Sequence, residues 1–356
     1  MPLIMKKALT GLVFVLLLAI PVFIFLFRAP SEHSLWEVYR VLKVADDNFR
    51  ALEAQGAEVY AASKNGHFVY SVDTGNTWDF VFVDSMEFRS IALTKEHIYL
   101  ASAGSPTRIY QSPRAVSSQV NFSLIYERQG ADWFIDAAKS DSEGNVWFFG
   151  DVRREYDSTS QDTQYVSTLL LRTVDGEIHF KYPPMKSRAE YGFAAGNSCL
   201  EVRGDTLNIV TGGAIARWFT SVNSGEDWEV HVLPYSSGPS KGAFGIALPS
   251  QKGVIVGGDY AVDSLNVAST FYTRDAGAHW FPSNGVNGYL SDVEYLGESA
   301  FMATGTRGTC WTLNGGQTWE FIDQTPYNTL ETDEKGRIWV AGPESIGRVV
   351  LRRELE

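Results

Sequence analysis

At 356 residues, with ten Trp and sixteen Tyr, the chain has material for two ordinary domains or one large repeat domain with a sizeable core. Thirty Lys and Arg against 42 Asp and Glu leave a net charge of −12. That acidity works against a nucleic-acid partner, whose binding rests on cationic contacts to phosphate.

In chain order, Lys6 and Lys7 precede an uncharged apolar stretch over 8–27, after which Arg28 and a polar run follow. At about 1.5 Å per residue, a helix of that length covers roughly the 30 Å hydrocarbon core of a bilayer. The stretch is longer than the apolar region of a cleaved leader, and no small-residue cleavage site is evident after Phe27. Residues 1–34 are therefore expected to be an uncleaved signal-anchor transmembrane helix and short linker. The alternative is a cleaved leader. The basic pair should stay cytoplasmic, which puts 35–356 outside the cytoplasm, in the periplasm or beyond.

An eight-residue pattern then recurs: S-V-D-T-G-N-T-W at 71–78, S-V-N-S-G-E-D-W at 221–228, T-R-D-A-G-A-H-W at 273–280 and T-L-N-G-G-Q-T-W at 312–319. Its fixed internal spacing marks a repeat protein. The side chains of Asp73, Asn223, Asp275 and Asn314 can accept hydrogen bonds from nearby N–H groups, while Gly75, Gly225, Gly277 and Gly316 can adopt positive φ. Trp78, Trp228, Trp280 and Trp319 then anchor each turn to the adjacent sheet. The pattern is eroded at Ser112-Pro113-Arg114 and at Thr173-Val174-Asp175-Gly176, which lacks the Trp.

A short apolar strand ending in Gly or Ser supplies a second repeat, at 58–63, 97–102, 145–150, 207–212, 253–258, 300–305 and 337–342. These segments start roughly 37 to 62 residues apart, as expected for four-stranded propeller blades with loop insertions. The reading is an all-β, seven-bladed β-propeller over 35–356. After Gly342 there is room for one more strand only, so residues 35–42, which have strand character, are expected to complete the last blade and close the ring. The polar insertion at 153–163 is expected as a surface loop. Cys199 and Cys310 fall in blades that are not neighbours, so they are expected as free, buried thiols.

The turn pattern resembles the Asp-box (BNR-type) propellers, a group that includes sialidases, sortilin-type receptors and the photosystem II stability/assembly factor family. Similarity to the last is wider. It extends to A-S-A-G-S-P-T-R-I-Y at 101–110, G-G-A-I-A-R at 212–217, V-G-G-D-Y at 256–260 and A-G-P-E-S-I-G-R at 341–348, and covers about residues 50 to 350. Bacterial members of that family are often labelled oxidoreductases. The resemblance implies a seven-bladed, non-enzymatic scaffold on the far side of a membrane, whose photosynthetic relatives help to assemble a membrane complex.

Counting back four residues from the hydroxyl position of each turn gives His67, Arg108 and Arg217, and the equivalent place in the last blade gives Arg348. Arg307 falls one residue out of register. All five should lie on the rim opposite the Asp-containing turns. Two readings stand: an anion-binding face for a protein or peptide partner with an acidic or carboxylate group, or separate pairing of each cation with a carboxylate or an aromatic ring. A monomer is expected.

Enzyme readings find less support. A sialidase carries F-R-I-P before its first Asp box, whereas Phe88-Arg89-Ser90-Ile91 follows the first box and lacks the Pro. Glycan binding or sialidase-like glycoside hydrolysis stays as the alternative, with Glu201, Asp205, Asp259 and Asp263 as weak candidates near strand ends. No G-x-G-x-x-G at a strand-to-helix junction, C-x-x-C-H or paired His pattern supports an oxidoreductase, a cofactor or a metal.

Overall fold

The computed structural model describes residues 35–115, 119–130, 133–158, 161–264 and 268–351. The expected anchor over 1–34 lies outside them, and no helix among the described residues is long and apolar enough to cross a membrane. Apart from one 3-10 turn, Tyr260–Val262, the regular structure is strand, arranged in six antiparallel sheets. Three have four strands, one has five and two have six. The simplest is a meander of Glu87–Leu93, His97–Ala103, Thr107–Pro113 and Ser123–Arg128.

All seven short apolar segments read from the sequence fall in strands: Glu58–Ser63, His97–Ala103, Val146–Asp157, Thr206–Val210, Gly253–Asp259, Ala300–Gly305 and Ile338–Leu351. Glu58–Ser63 is buried along its whole length. A strand covered on both faces has no polar side to alternate with, which explains the continuous apolar runs. The core lies between sheets. Trp147 and Phe149 of one, for example, share a cluster with Trp218 and Phe219 of the next. Cys199 and Cys310 are free and buried.

The sheets form a ring. Trp36–Gln55 touches Glu87–Leu93, which touches Ile135–Ser140. Contacts pass on through Leu200–Arg203, Gly238–Ala247 and Asp292–Gly297 to Thr329–Thr332, and from there back to Trp36–Gln55. That first strand is 20 residues long, and its two halves pair with different strands. Its early part pairs with the last strand, Trp36 opposite Leu351 and Leu42 opposite Ile346, whereas its later part pairs with Glu58–Ser63, Phe49 opposite Ser63. The register breaks between Lys43 and Asn48, where Asp46 takes φ 60°. Residues 36–42 thus pair with the last strand and leave it no open edge there.

The four recurrent turns share one hydrogen-bond scheme. In the first, the Ser71 hydroxyl oxygen accepts from the Gly75 N–H at 2.8 Å, and Asp73 Oδ1 accepts from the Thr77 N–H at 2.8 Å. Ser221, Thr273 and Thr312 accept from Gly225, Gly277 and Gly316 at 2.9, 3.0 and 3.2 Å. The glycines have φ between 77° and 89°, where other residues are strained. They also make close contacts beyond the turn. A Cβ on Gly277 would sit 2.4 Å from the Trp218 ring and one on Gly316 would sit 2.3 Å from Val254, both in a preceding sheet, while one on Gly75 would sit 2.8 Å from Trp339 across its own six-stranded sheet. The glycines therefore lock neighbouring layers together, a role that φ alone does not reveal. Trp78 and Trp319 donate to the carbonyls of Gly75 and Gly316 at 3.1 Å, whereas the ring N–H groups of Trp228 and Trp280 make no hydrogen bond.

Where the pattern is eroded at Arg114, a different device joins the sheets. The Arg114 side chain is buried and binds Glu58 of the preceding sheet through Nη2 at 2.7 Å and Nε at 2.8 Å. The insertion at 153–163 corrects the loop expectation. Val146–Asp157 and Asp162–Arg172 pair as one long hairpin through most of it. Its polarity disguised strand structure held by packing: the Arg153 guanidinium lies 4.5 Å from the Trp133 ring centre and 5.2 Å from that of Tyr182.

Candidate functional site

Antiparallel pairing places residues 49–50, 88–89 and 135–136 at the end of the ring where second strands hand over to third strands, opposite the recurrent turns. At that end a cavity of about 670 Å³ opens, lined among others by Arg50, Arg89, Asp136, Asp151, Phe244 and Tyr289. Fully buried Phe49 and Phe88 seat the two arginines. Arg50 donates to Asn328 Oδ1 at 3.3 Å and to the Ala194 carbonyl at 3.4 Å. Arg89 reaches the same carbonyl at 3.2 Å and holds Glu87 at 2.8 Å. Two guanidinium groups therefore converge on one backbone oxygen, and the Arg50 Nε has no partner.

The loop carrying Ala194 is pinned from below by Asn197. Its Nδ2 donates to the carbonyls of Ile91 and Ala138 at 2.9 and 2.7 Å, and its Oδ1 accepts from the Ala138 N–H at 2.9 Å. Gly196 is required here because a Cβ would lie 2.3 Å from Asp292. Opposite the arginines stands an aromatic wall. Phe193 and Phe244 stack at 3.8 Å, and Tyr289 meets Phe244 edge-on at 4.8 Å.

Asp136 is 2% exposed, and its Oδ2 makes no hydrogen bond. Burial and the neighbouring Asp151 carboxylate push its carboxyl far above the usual range. Burial raises Asp151 to about 6. Deeper along the axis, the Lys139 ammonium lies 3.4 Å from both Glu53 and Glu331. Nearby Glu294 is raised to about 8, first by burial.

The five cations picked out by register lie at this end, but none lines the cavity. His67 meets Asp47 at 2.8 Å. Arg108 bonds Asp84 and Glu127 at 2.6 and 2.7 Å. Arg217 grips buried Glu190 at 2.6 Å and covers Phe219. Arg348 lies 5.9 Å over Trp339. The Nε of Arg307 is buried without a partner, and its chain packs against Gly288. Three of the five thus meet carboxylates, and the Arg348 Nε, like that of Arg307, is buried without a partner. The register argument picks residues at the end of the ring where the cavity opens, His67, Arg108, Arg217 and Arg348 on third strands, whereas the cavity arginines sit on first strands. A sequence signal was available, since Phe49-Arg50 and Phe88-Arg89 repeat one dipeptide at equivalent places in two successive sheets. Of the four weak carboxylate candidates, Glu201 is held by Arg203 and Asn208, Asp205 by Ser224, Asp259 by Ser240 and Asp263 by Thr306.

A ring of antiparallel sheets with a cavity on its axis defines a β-propeller. No family model matches the chain, and no curated protein does. Among solved structures, one described as YCF48 bound to D1 peptide is similar at 13% identity over 90% of this chain and 98% of that one, with a TM-score of 0.62. A streptogramin B lyase structure matches at 12% identity over 89% of this chain and 98% of that one, TM-score 0.61. The WD40 β-propeller domain of Doa1 matches at 12% over 88% and 96%, TM-score 0.59. At these identities the likeness shows the fold.

Proposed function

We propose that this protein is a non-enzymatic interaction scaffold that holds a carboxylate-bearing peptide segment of a partner at the cavity end of its ring. The observation that carries the reading is the convergence of Arg50 and Arg89 on one carbonyl beside an aromatic wall. Two guanidinium groups with spare donors suit a carboxylate, and the rings suit an apolar neighbour. A similar fold solved with a peptide, and WD40 domains among the similar structures, accord with protein binding.

In this reading the six-stranded sheet containing Trp36–Gln55 counts as two blades, which makes the propeller seven-bladed, and the recurrent turns are Asp boxes. Residues 1–34 anchor it in a membrane with the propeller outside the cytoplasm, and it acts as a monomer. The test compares a peptide ending in a free carboxylate with its C-terminal amide on the native protein and on the Arg50→Ala/Arg89→Ala variant. Equal binding of acid and amide overturns the reading. Glycan hydrolysis is the second reading, favoured by the Asp136 and Asp151 carboxyls in a cavity that also holds cations. Turnover of an acidic glycoside panel would establish it.

A further inference from the structure

The cavity holds a group that peptide scaffolding alone does not require. Asp136 is buried in its wall with one oxygen lacking any hydrogen bond, and Gly192 packs so closely that a Cβ there would lie 2.8 Å from that oxygen. The antiparallel ladder sets Phe149 opposite Ala137 and Gly150 opposite Ile135, so Asp136 is the extra residue of a bulge diagonal to Asp151, and both carboxyls line the cavity. Two carboxyl groups so placed resist simultaneous ionisation.

We infer that the cavity takes up one organic carboxylate with an apolar body together with one proton, which lodges on the Asp136 and Asp151 pair. The inference rests on the reading of this cavity as a carboxylate site. Its physical basis is charge. Around the pair stand Arg89, Arg50 and Glu87 from the first strands, Arg188 and Tyr191 from the overlying loop, Tyr260 and Tyr289 from the aromatic wall, and Cys199 beneath. Arg89 is already paired to Glu87, and with Asp136 and Asp151 both ionised the three carboxylates balance Arg50, Arg89 and Arg188, so an entering anion tips the cavity to net negative charge. An entering anion raises the proton affinity of the pair, and by linkage the proton raises the affinity for the anion. The aromatic wall selects an apolar body beside the carboxylate.

The probe is N-acetylphenylalanine, with its amide as control, titrated calorimetrically into the full chain in two buffers of different ionisation heat. Acid binding is expected with proton uptake approaching one. Affinity should fall by up to about tenfold per pH unit above the Asp151 range. Asp151→Asn should flatten that slope and strengthen binding at alkaline pH, and a melting curve checks that the variant is folded. Acid binding without proton uptake overturns the inference and leaves the carboxylate reading standing. Equal binding of acid and amide overturns both.

Discussion

The two ends of the ring treat the same side chain in opposite ways. At the turn end, the hydroxyl and N–H of Thr77 and the hydroxyl of Ser71 hold Asp73 at about 2, and the His279 ring and N–H do the same for Asp275. At the cavity end, Asp136 has an oxygen without a donor and titrates far above the usual range, and Asp151 rises to about 6. A carboxylate saturated by donors holds structure. One deprived of them holds a proton instead, at a cost to folding that binding chemistry can use.

The largest expected effect comes from deleting residues 35–43, which removes the pairing with the last strand. Loss of a single cooperative melting transition is expected, by circular dichroism, and retention of a native-like transition would show that closure lies elsewhere. Next, Gly277→Val drives a side chain into the Trp218 ring at positive φ, and should cost about 3 kcal/mol or more. Gly336→Ala has the same sign of φ with open space around it, and should cost only about 1–2 kcal/mol in the same urea titration. A similar loss in both would mean that backbone strain, not packing between sheets, sets the glycine requirement.

At the other end, Arg50→Ala with Arg89→Ala should weaken a carboxylate-terminated peptide by about 10- to 100-fold, and should cost about 1–3 kcal/mol of urea stability because the Ala194 carbonyl loses both donors. The smallest effect concerns pH. The two carboxyls in the cavity have folded values above their unfolded ones, so their contribution is most favourable below about pH 4, and for Asp151 is lost as pH rises through about 6. Asp151→Asn should remove a decline on the order of 1–2 kcal/mol over that interval. The turn carboxylates run the other way. Their folded values are depressed, so their support is present above about pH 4 and is lost as pH falls toward about 2. Acid unfolding below pH 4 should therefore persist in the Asp151→Asn variant.

The turn end was readable in advance because its chemistry is local. Ser71, Asp73, Gly75 and Thr77 satisfy one another within a few residues, so spacing alone exposes the scheme. Closure of the ring was readable because an incomplete last repeat demands a partner, and 36–42 had the strand pattern to supply it. The cavity was not, because its members come from widely separated stretches between Arg50 and Asn328 and meet only once the ring is shut. Register along a strand puts His67, Arg108 and Arg217 at the end where the cavity opens, yet it carries no information about distance from the axis. Nor does composition reveal that Asp84, Glu127 and Glu190 would absorb those cations. The hairpin at 146–172 was missed for a related reason, since charged residues on a two-stranded extension read as loop until Trp133 and Tyr182 are seen to cover Arg153.

The strand Trp36–Gln55 ties the beginning of the chain to its end. During synthesis its first half must wait, unpartnered, while the intervening sheets are made, because its mate lies around Ile346–Leu351. Until then the nascent protein carries an adhesive ribbon able to pair with a neighbouring copy. Any cell producing it in quantity has reason to keep that ribbon shielded until Ile346–Leu351 can reach it.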